Sequence, residues 1–300
     1  MKDGYVYFPG CSLNSSGVAY NDSLKALYRQ LGQKLEELPD WNCCGATSYM
    51  CIDEGSAFLL SARNLSIAHQ MNLEELMAPC SACYLVLRKT QDYVERHPGI
   101  QKKVSESLER AGLPPINSVK IRHPLEILYN DVGVERIKAL TTQPWRGGRI
   151  ACYYGCQAVR PYDDVDKDVN PMRMDELMRA VGAPTVDYAL KTKCCGGSLT
   201  GTLRDVGLRL NYILLKEAAR KGAEAIVTMC PLCQFNLDMY QKEIAKQSGE
   251  RFDMPVLYFT QVLAWALGAE AKELGLRRLV SGRDLTRRWF TAQEEVEAYV

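Results

Sequence analysis

The feature that most constrains this chain is an internal repeat of grouped cysteines. Ten of its twelve cysteines fall into two sets of five that share one order: a single cysteine after a glycine, an adjacent pair before a glycine, and a Cys-x-x-Cys motif. The intervals between these groups are 31 and 35 residues in the first set and 37 and 34 in the second, so the sequence predicts two copies of one unit. The first cysteine set is Cys11, Cys43, Cys44, Cys80 and Cys83, and the second is Cys156, Cys194, Cys195, Cys230 and Cys233.

The segments between the cysteines repeat as well. Short β-branched or aromatic runs alternate with helix-period patterns, and a helix is predicted to begin at each Cys-x-x-Cys motif. Predicted strands lie at 5–8, 34–38, 74–79, 149–154, 184–188 and 224–229, and predicted helices at 18–31, 54–70, 171–181 and 203–221. Segments 121–128 and 257–263 are more weakly similar to each other, and each looks like a strand that runs into a helix.

Strands that alternate with helices predict the α/β class. We expect two pseudo-symmetric repeats, each a small parallel sheet with helices, and all cysteine groups at the carboxyl-terminal edges of strands, where ligands gather in such sheets. Turn residues near 130–148 predict an N-terminal domain of residues 1–140 and a C-terminal domain of residues 141–300. Residues 268–300 have no counterpart in the first repeat and are predicted to be a charged helical appendage that serves as a docking surface.

Composition excludes several classes of protein. The formal net charge is +1 without a basic block, which argues against a nucleic-acid partner. No apolar run approaches the roughly 18–20 residues that a transmembrane helix needs, and the N-terminus lacks a secretory signal. We therefore expect a cytoplasmic protein, in which grouped thiols stay reduced and bind metal or carry out redox chemistry.

The ligand count favours a polynuclear iron–sulfur site over zinc. A structural zinc ion takes four ligands, one fewer than each set offers. Adjacent cysteines such as Cys43 and Cys44 have side chains that diverge, which suits two irons of a cluster better than one small ion. A thioredoxin-like dithiol at either Cys-x-x-Cys motif remains an alternative, as does zinc.

Three further residues are candidates for a role. Cys51 and Cys152 lie outside the repeated pattern and are predicted to be structural thiols. Of the three histidines, His123 alone lies near a predicted sheet edge, which makes it a candidate catalytic group.

The twice-repeated order of cysteine, CCG and Cys-x-x-Cys resembles the CCG (cysteine-rich) domain family over about residues 4–268. The double copy, the FPGC opening and the YFTQ segment are similar to the B subunits of heterodisulfide reductases. The resemblance implies that each cysteine set holds one non-cubane [4Fe-4S] cluster. It also implies a small disulfide or thiol substrate at a cleft between the two clusters, and two partners: a ferredoxin-like C subunit of the complex and its flavin-containing A subunit. The second repeat departs from the methanogen pattern, which has histidine beside this cysteine: Tyr153, Tyr154 and Gln157 surround Cys156 here.

Three hypotheses of function follow. The first is an oxidoreductase, the catalytic subunit of a heterodisulfide reductase-like complex that cleaves or forms a sulfur–sulfur bond between two clusters. The second is an electron-transfer subunit of an organic-acid or sulfur-compound dehydrogenase complex that passes electrons to a quinone. The third is a zinc or assembly scaffold without enzymatic activity.

Overall fold

The computed structural model of the chain describes residues 3–46, 48–116 and 119–291. Its strands form two separate sheets, in which every pairing is parallel. The strands are β1 (Gly4–Tyr7), β2 (Lys34–Glu37), β3 (Glu75–Met77), β4 (Lys120–Arg122), β5 (Ile150–Tyr153), β6 (Ala225–Thr228) and β7 (Val256–Tyr258). The first sheet has the order β2-β1-β3-β4 and the second the order β5-β6-β7.

Helices connect the strands and cover the sheets. In the first half they are α1 (Gly10–Leu13), α2 (Val18–Gln30), α3 (Ser48–Ile52), α4 (Glu54–Gln70), α5 (Ser81–Arg96), α6 (Pro98–Arg110), α7 (Pro124–Ile127) and α8 (Val134–Ala139). In the second half they are α9 (Arg173–Ala180), α10 (Leu199–Thr202), α11 (Arg204–Arg220), α12 (Pro231–Met239), α13 (Gln241–Ser248), α14 (Phe259–Ala266) and α15 (Arg283–Trp289). A π-helical turn spans Leu128–Val132, and two 3₁₀ turns span Ala271–Leu274 and Leu276–Arg278. These elements confirm the predicted α/β class with two similar repeats.

One predicted strand, 184–188, is reduced to a single bridge. The Ile150 N–H donates to the carbonyl oxygen of Pro184 (2.8 Å) and the Val186 N–H donates to that of Ile150 (2.9 Å), which leaves only the pair Ile150–Thr185. Pro184 has no N–H to extend the ladder backwards. The segment nevertheless lies beside β5 as β2 lies beside β1, so the two sheets keep the same order and β7 corresponds to β4.

The two repeats share a buried core. Helix α2 of the first packs on α14 of the second, and a single apolar cluster includes side chains from both halves. At their contact Tyr20 stacks on Tyr258, with ring centroids 4.6 Å apart and an interplanar angle of 8°, and the hydroxyls of Ser23 and Thr260 lie 2.6 Å apart. The predicted boundary near residue 140 falls between α8 and β5, and the division into two domains stays a prediction.

The C-terminal segment packs against the body of the protein over its described part, residues 268–291. Gln261 Nε2 donates to the Leu274 carbonyl oxygen (2.7 Å), and the Asp238 carboxylate accepts the backbone N–H groups of Val280 and Ser281 (both 2.9 Å). The predicted appendage beyond residue 291 lies outside the described residues. Across the described ranges, none of the helices combines the length and the apolar character that a membrane span requires.

Candidate functional site

Each repeat gathers its five cysteines at the carboxyl-terminal edge of its sheet. In the first set, Cys11 Sγ lies 3.8 Å from Cys43 Sγ, and Cys44 Sγ lies 3.2 Å from Cys83 Sγ. All of the cysteines are free thiols. The structure thus brings the first set together, although its members span more than seventy residues; their role as cluster ligands stays a prediction.

The second set repeats this arrangement. Cys195 Sγ lies 3.6 Å from Cys233 Sγ, and the neighbouring Cys194 thiol raises the pKa of Cys156. Asn236 Nδ2 lies 3.5 Å from Cys195 Sγ and the Gly196 N–H lies 3.3 Å from Cys194 Sγ, so amide donors point at the sulfurs.

The two sets are neighbours. Cys80 and Cys230 are the N-cap residues of α5 and α12, and their thiols lie close enough to shift each other's pKa, upward for Cys80 and downward for Cys230. The two sets therefore approach each other at their Cys-x-x-Cys motifs. The relative position of the sets could not be predicted from the sequence, since it depends on how the repeats pack.

Glycines leave room for the sulfurs. Gly10 and Gly155 have φ of +64° and +72°, in the left-handed region that favours glycine. A Cβ added at Gly10 would lie 2.8 Å from Cys83 Sγ, and one added at Gly155 would lie 3.0 Å from Cys233 Sγ. Both positions therefore need glycine for its φ and for its lack of a side chain.

Hydrogen bonds favour the thiolate at one exposed position in each set. The hydrogen bonds that Cys43 shares with Cys11 and Cys44 hold its pKa well below the usual range. The bond with Cys156, aided by the Gly196 N–H, lowers the pKa of Cys194 to about 6. Thiolates are the form in which cysteine binds metal.

The donor set fits an iron–sulfur cluster. Each set offers five sulfurs, backbone amides that point at them, and one glycine, Gly10 or Gly155, that leaves room beside a sulfur; we call this arrangement a glycine cradle. A polynuclear cluster is stabilised by sulfur ligands and by amide hydrogen bonds. Within the described residues, no three His, Cys, Asp or Glu side chains are arranged to hold one metal ion.

A cavity of about 390 Å³ opens in front of the second set. All five cysteines of that set line it, whereas no cysteine of the first set is among its described lining residues. Its outer wall comes from α3 and α5 of the first repeat, so the cavity lies between the two repeats. Such a volume is within the range of small-molecule sites.

Three polar side chains of the cavity wall, Ser81, Lys89 and Ser198, were missed by the sequence reasoning. Ser81 and Lys89 both lie on α5 and line the cavity. The Ser81 hydroxyl is buried without a hydrogen-bond partner among the described residues, and Lys89 is the one charged side chain of the described lining. The sequence carried a faint signal, since the lining residues Ser81, Leu85 and Lys89 recur every four residues on one helix face.

His123 is fully buried and both of its ring nitrogens contact the backbone. Nε2 lies 2.8 Å from the carbonyl oxygen of Pro79, and Nδ1 accepts the Leu125 N–H (3.1 Å) as the N-cap of α7. Burial lowers the pKa of His123 to about 4, which keeps the ring neutral. These contacts give His123 a structural role beside the loop that carries Cys80. A catalytic role of His123 stays a prediction.

The two extra cysteines differ from each other. Cys152 is buried in β5, where burial raises the pKa of its thiol, as expected of a structural residue. Cys51 is exposed and lines the cavity, in contrast to the expectation of a structural thiol.

Comparison with known families identifies the repeat. The model of the cysteine-rich domain CCG matches residues 5–88 and 150–238. The chain belongs to the CCG cysteine-rich domain family. Both matched segments begin within one residue of the first strand of a repeat and end in the helix that follows its Cys-x-x-Cys motif.

Several relatives match nearly the whole chain. The 8-methylmenaquinol:fumarate reductase membrane anchor subunit of Wolinella succinogenes is 31% identical over 282 residues, which are 93% of this chain and 98% of that protein. A protein of Archaeoglobus profundus, named as similar to the heterodisulfide reductase B subunit, is 30% identical over 280 residues (90% and 92%). The B subunit of the ferredoxin:CoB-CoM heterodisulfide reductase of Methanosarcina mazei is 28% identical over 276 residues (90% and 91%).

A solved structure supports the fold alone. The crystal structure of a hypothetical protein from Helicobacter pylori superposes with a TM-score of 0.72 at 15% identity, over 94% of this chain and 52% of that one. The family match and the relatives confirm the predicted resemblance: the chain has two CCG repeats and is similar to B subunits of heterodisulfide reductases.

Proposed function

We propose that this chain is a two-cluster electron-transfer subunit that connects a quinol or quinone to an organic-acid oxidoreductase. The observation that carries the proposal is the cavity, which is lined by all five cysteines of the second set. A small molecule bound there lies against one cluster site, while the other site, joined to it through Cys80 and Cys230, leads away from the molecule.

Each set would hold one non-cubane [4Fe-4S] cluster. The proposed ligands are the five cysteines of each set: Cys11, Cys43, Cys44, Cys80 and Cys83, and Cys156, Cys194, Cys195, Cys230 and Cys233. Such clusters supply one-electron transfer. What the chain itself does is to gather the sulfurs, direct backbone amides at them and keep the two sites close together.

Of the two redox hypotheses drawn from the sequence, the cavity favours electron transfer. A disulfide that is split between two clusters needs a cavity lined by both cysteine sets. The described lining of this cavity includes the cysteines of the second set and none of the first. The Wolinella relative, which matches over 98% of its length, is named for a quinol and for fumarate. The partner of this chain would then be a flavin-containing protein that handles the organic acid.

Disulfide cleavage is the second candidate. It is favoured by the relatives named as B subunits of heterodisulfide reductases and by the contact between Cys80 and Cys230, which brings the two cluster sites close together. In that case the partners would be a ferredoxin-like C subunit of the complex and its flavin-containing A subunit, and the substrate a small disulfide or its thiols.

The test uses the anaerobically purified chain. Two four-iron clusters predict about eight irons and a similar amount of acid-labile sulfide. The oxidised protein is mixed with duroquinol, and the dithionite-reduced protein with a panel of small disulfides, while cluster absorbance is followed. Reduction by duroquinol without oxidation by disulfides supports electron transfer. The reverse result supports disulfide cleavage, and a protein that binds zinc but no iron refutes both.

A further inference from the structure

We infer that a basic groove between α2 and residues 271–290 binds an acidic segment of a partner protein. The groove is separate from the cavity, with which it shares no described lining residue. It gives a chemical identity to the docking surface that the sequence predicts for residues 268–300, over the described part of that segment. The inference rests on the proposed function only in that this partner exchanges electrons with the first cysteine set.

The groove has a volume of about 930 Å³ and a strongly positive lining. Five cationic side chains and one carboxylate line it, whereas the whole chain has 37 lysines and arginines against 36 acidic residues. The groove therefore concentrates positive charge in a chain that is nearly neutral overall. The cations are Lys272, Arg277, Arg278, Arg283 and Arg287, and the carboxylate is Asp22.

Two of these arginines have no anionic partner. Among the described residues, the side chains of Arg277 and Arg278 form neither a hydrogen bond nor an ion pair, and both residues are exposed. Exposed cations elsewhere on the surface do form pairs, as Lys216 does with Glu250 (2.6 Å). Neighbouring like charges repel each other, so an anion that binds between the two arginines is stabilised.

The backbone of this segment is fixed, so the arginines are presented in a set arrangement. Gly275, with φ of +66°, packs so closely on α2 that an added Cβ would lie 2.7 Å from the Ala19 Cα atom. Further along, the Gly282 N–H donates to Asp253 Oδ1 (2.7 Å). The two unpaired arginines lie between these anchors. A surface whose backbone is already ordered loses less conformational entropy when it binds a partner.

The positive surface continues beyond this groove. Arg283 also lines a neighbouring groove of about 970 Å³ beside α13. Two concave surfaces that share a side chain suit an extended chain better than one small anion. The other cations of the second groove are Lys242, Lys246 and Arg251, and its carboxylates are Asp253 and Asp284.

An acidic polypeptide segment fits these features better than a membrane or a nucleic acid does. None of the exposed large apolar side chains of the described residues lies within residues 268–291, so the segment offers no apolar anchor to a bilayer. Phe290, the one aromatic residue of the groove's described lining, is 4% exposed and provides no ring for base stacking. Carboxylates, in contrast, match the paired donors of arginine.

The groove lies beside the first cysteine set. Its residue Gly275 contacts Ala19 in the first turn of α2. Just before that helix, the Gly17 N–H donates to the carbonyl oxygen of Ser12 (2.7 Å), and Ser12 follows Cys11, which is exposed. A protein bound in the groove is therefore next to the loop that carries Cys11, one of the proposed ligands of the first cluster.

The test measures the binding of a fluorescein-labelled peptide of alternating glutamate and serine to the iron-loaded chain, by fluorescence anisotropy. A peptide with glutamine in place of glutamate is the control for charge. We expect saturable binding of the acidic peptide alone. Because salt screens exposed charges, this binding should weaken at least about three-fold when the salt concentration rises from about 20 to about 200 mM.

Charge reversal in the groove tests the site. Arg277→Glu with Arg278→Glu is expected to weaken binding of the acidic peptide at least about ten-fold, since two attractive contacts become repulsive. The matched control is Lys102→Glu with Lys103→Glu on α6, which changes the net charge equally at exposed positions of a helix that does not line the groove. If the groove variant loses iron or unfolds, it is replaced by Lys272→Glu with Arg287→Glu, at side chains that are 72% and 80% exposed.

Equal affinity for the acidic peptide in the groove variant and in the α6 control overturns the inference, as does equal binding of the glutamate and glutamine peptides. Vesicles of phosphatidylcholine with phosphatidylserine are tested in parallel. If the chain binds these vesicles through Arg277 and Arg278 but does not bind the peptide, the groove is a membrane site and the inference is wrong.

The proposed function is checked separately in the same protein, by following cluster absorbance with duroquinol and with disulfides. If neither reagent changes the absorbance while the groove binds the peptide, the docking surface stands and the electron-transfer function fails. If duroquinol reduces the clusters while the groove variant and the α6 control bind the peptide equally, only the docking surface is wrong.

Discussion

Replacement of Gly155 by alanine tests whether the glycine cradle is what admits the second cluster. Gly155 has φ of +72°, and an added Cβ would lie 3.0 Å from Cys233 Sγ. An ordinary Cβ contact is longer than about 3.4 Å, so the sulfur must move by several tenths of an ångström. A sulfur that binds iron has little freedom to do so, because metal–ligand distances are narrowly fixed.

The strain of the backbone itself can be measured separately at Gly249. That residue has φ of +73°, and an added Cβ there would meet no described atom within 4 Å. An L-residue in the left-handed region costs on the order of 1–2 kcal/mol. Gly249→Ala therefore carries nearly the same conformational penalty as Gly155→Ala but lacks the contact with sulfur.

The assay is iron and acid-labile sulfide per chain after anaerobic purification, together with the free energy of unfolding in urea. We expect both variants to lose about 1–2 kcal/mol of stability, and Gly155→Ala alone to lose about half of its iron. In the first repeat, Gly10→Ala (φ +64°, Cβ at 2.8 Å from Cys83 Sγ) is matched with Gly112→Ala (φ +69°, no described atom within 4 Å). If Gly155→Ala and Gly249→Ala retain the same iron content, the cradle argument is wrong.

Two further predictions concern the fold and the ligands. Arg122 is buried between Glu126 (2.5 Å) and Asp131 (2.6 Å), so Arg122→Met is expected to lower the free energy of unfolding at neutral pH by about 3–5 kcal/mol. The hydrogen bond from Arg122 holds the pKa of Asp131 below its usual range, so its stabilisation is present above that range and lost as pH falls through the lower folded value. The difference from wild type in urea unfolding should therefore shrink below about pH 4, and a constant difference would contradict the assignment. Cys195→Ser is expected to lose about half of the iron and Cys152→Ser, in β5, none; equal loss in both would remove the distinction between ligand and structural thiols.

Much of the fold was predictable because local signals agreed with the duplication. A helix begins at each Cys-x-x-Cys motif, as predicted, and Pro231, directly after Cys230, is the first residue of α12, a position that suits proline. The weakly similar segments 121–128 and 257–263 also proved to be strands that run into helices, β4 with α7 and β7 with α14. Repetition strengthened signals that a single short segment would have left ambiguous.

The remaining features depend on contacts that no local pattern encodes. Residues 184–188 have β-branched character, yet Pro184 and a single partner strand limit them to one bridge. The proximity of Cys80 to Cys230 depends on how the two repeats pack on each other. The cavity and the unpartnered hydroxyl of Ser81, as seen among the described residues, arise between the repeats, so they follow from the same packing.

That packing also explains how two similar cradles can have different surroundings. The same motif position holds Ser81 in the first repeat and Pro231 in the second. Ser81 is small and lines the cavity before the second set, whereas Pro231 closes on the other repeat: a Cβ added at Gly17 would lie only 3.1 Å from Pro231 Cβ. Duplication therefore supplies two sites of the same chemistry, and one substitution between the copies leaves room for a ligand at one of them. Electron transfer through the chain needs this difference between the two sites, because one site must lie beside the small molecule while the other lies beside the partner protein.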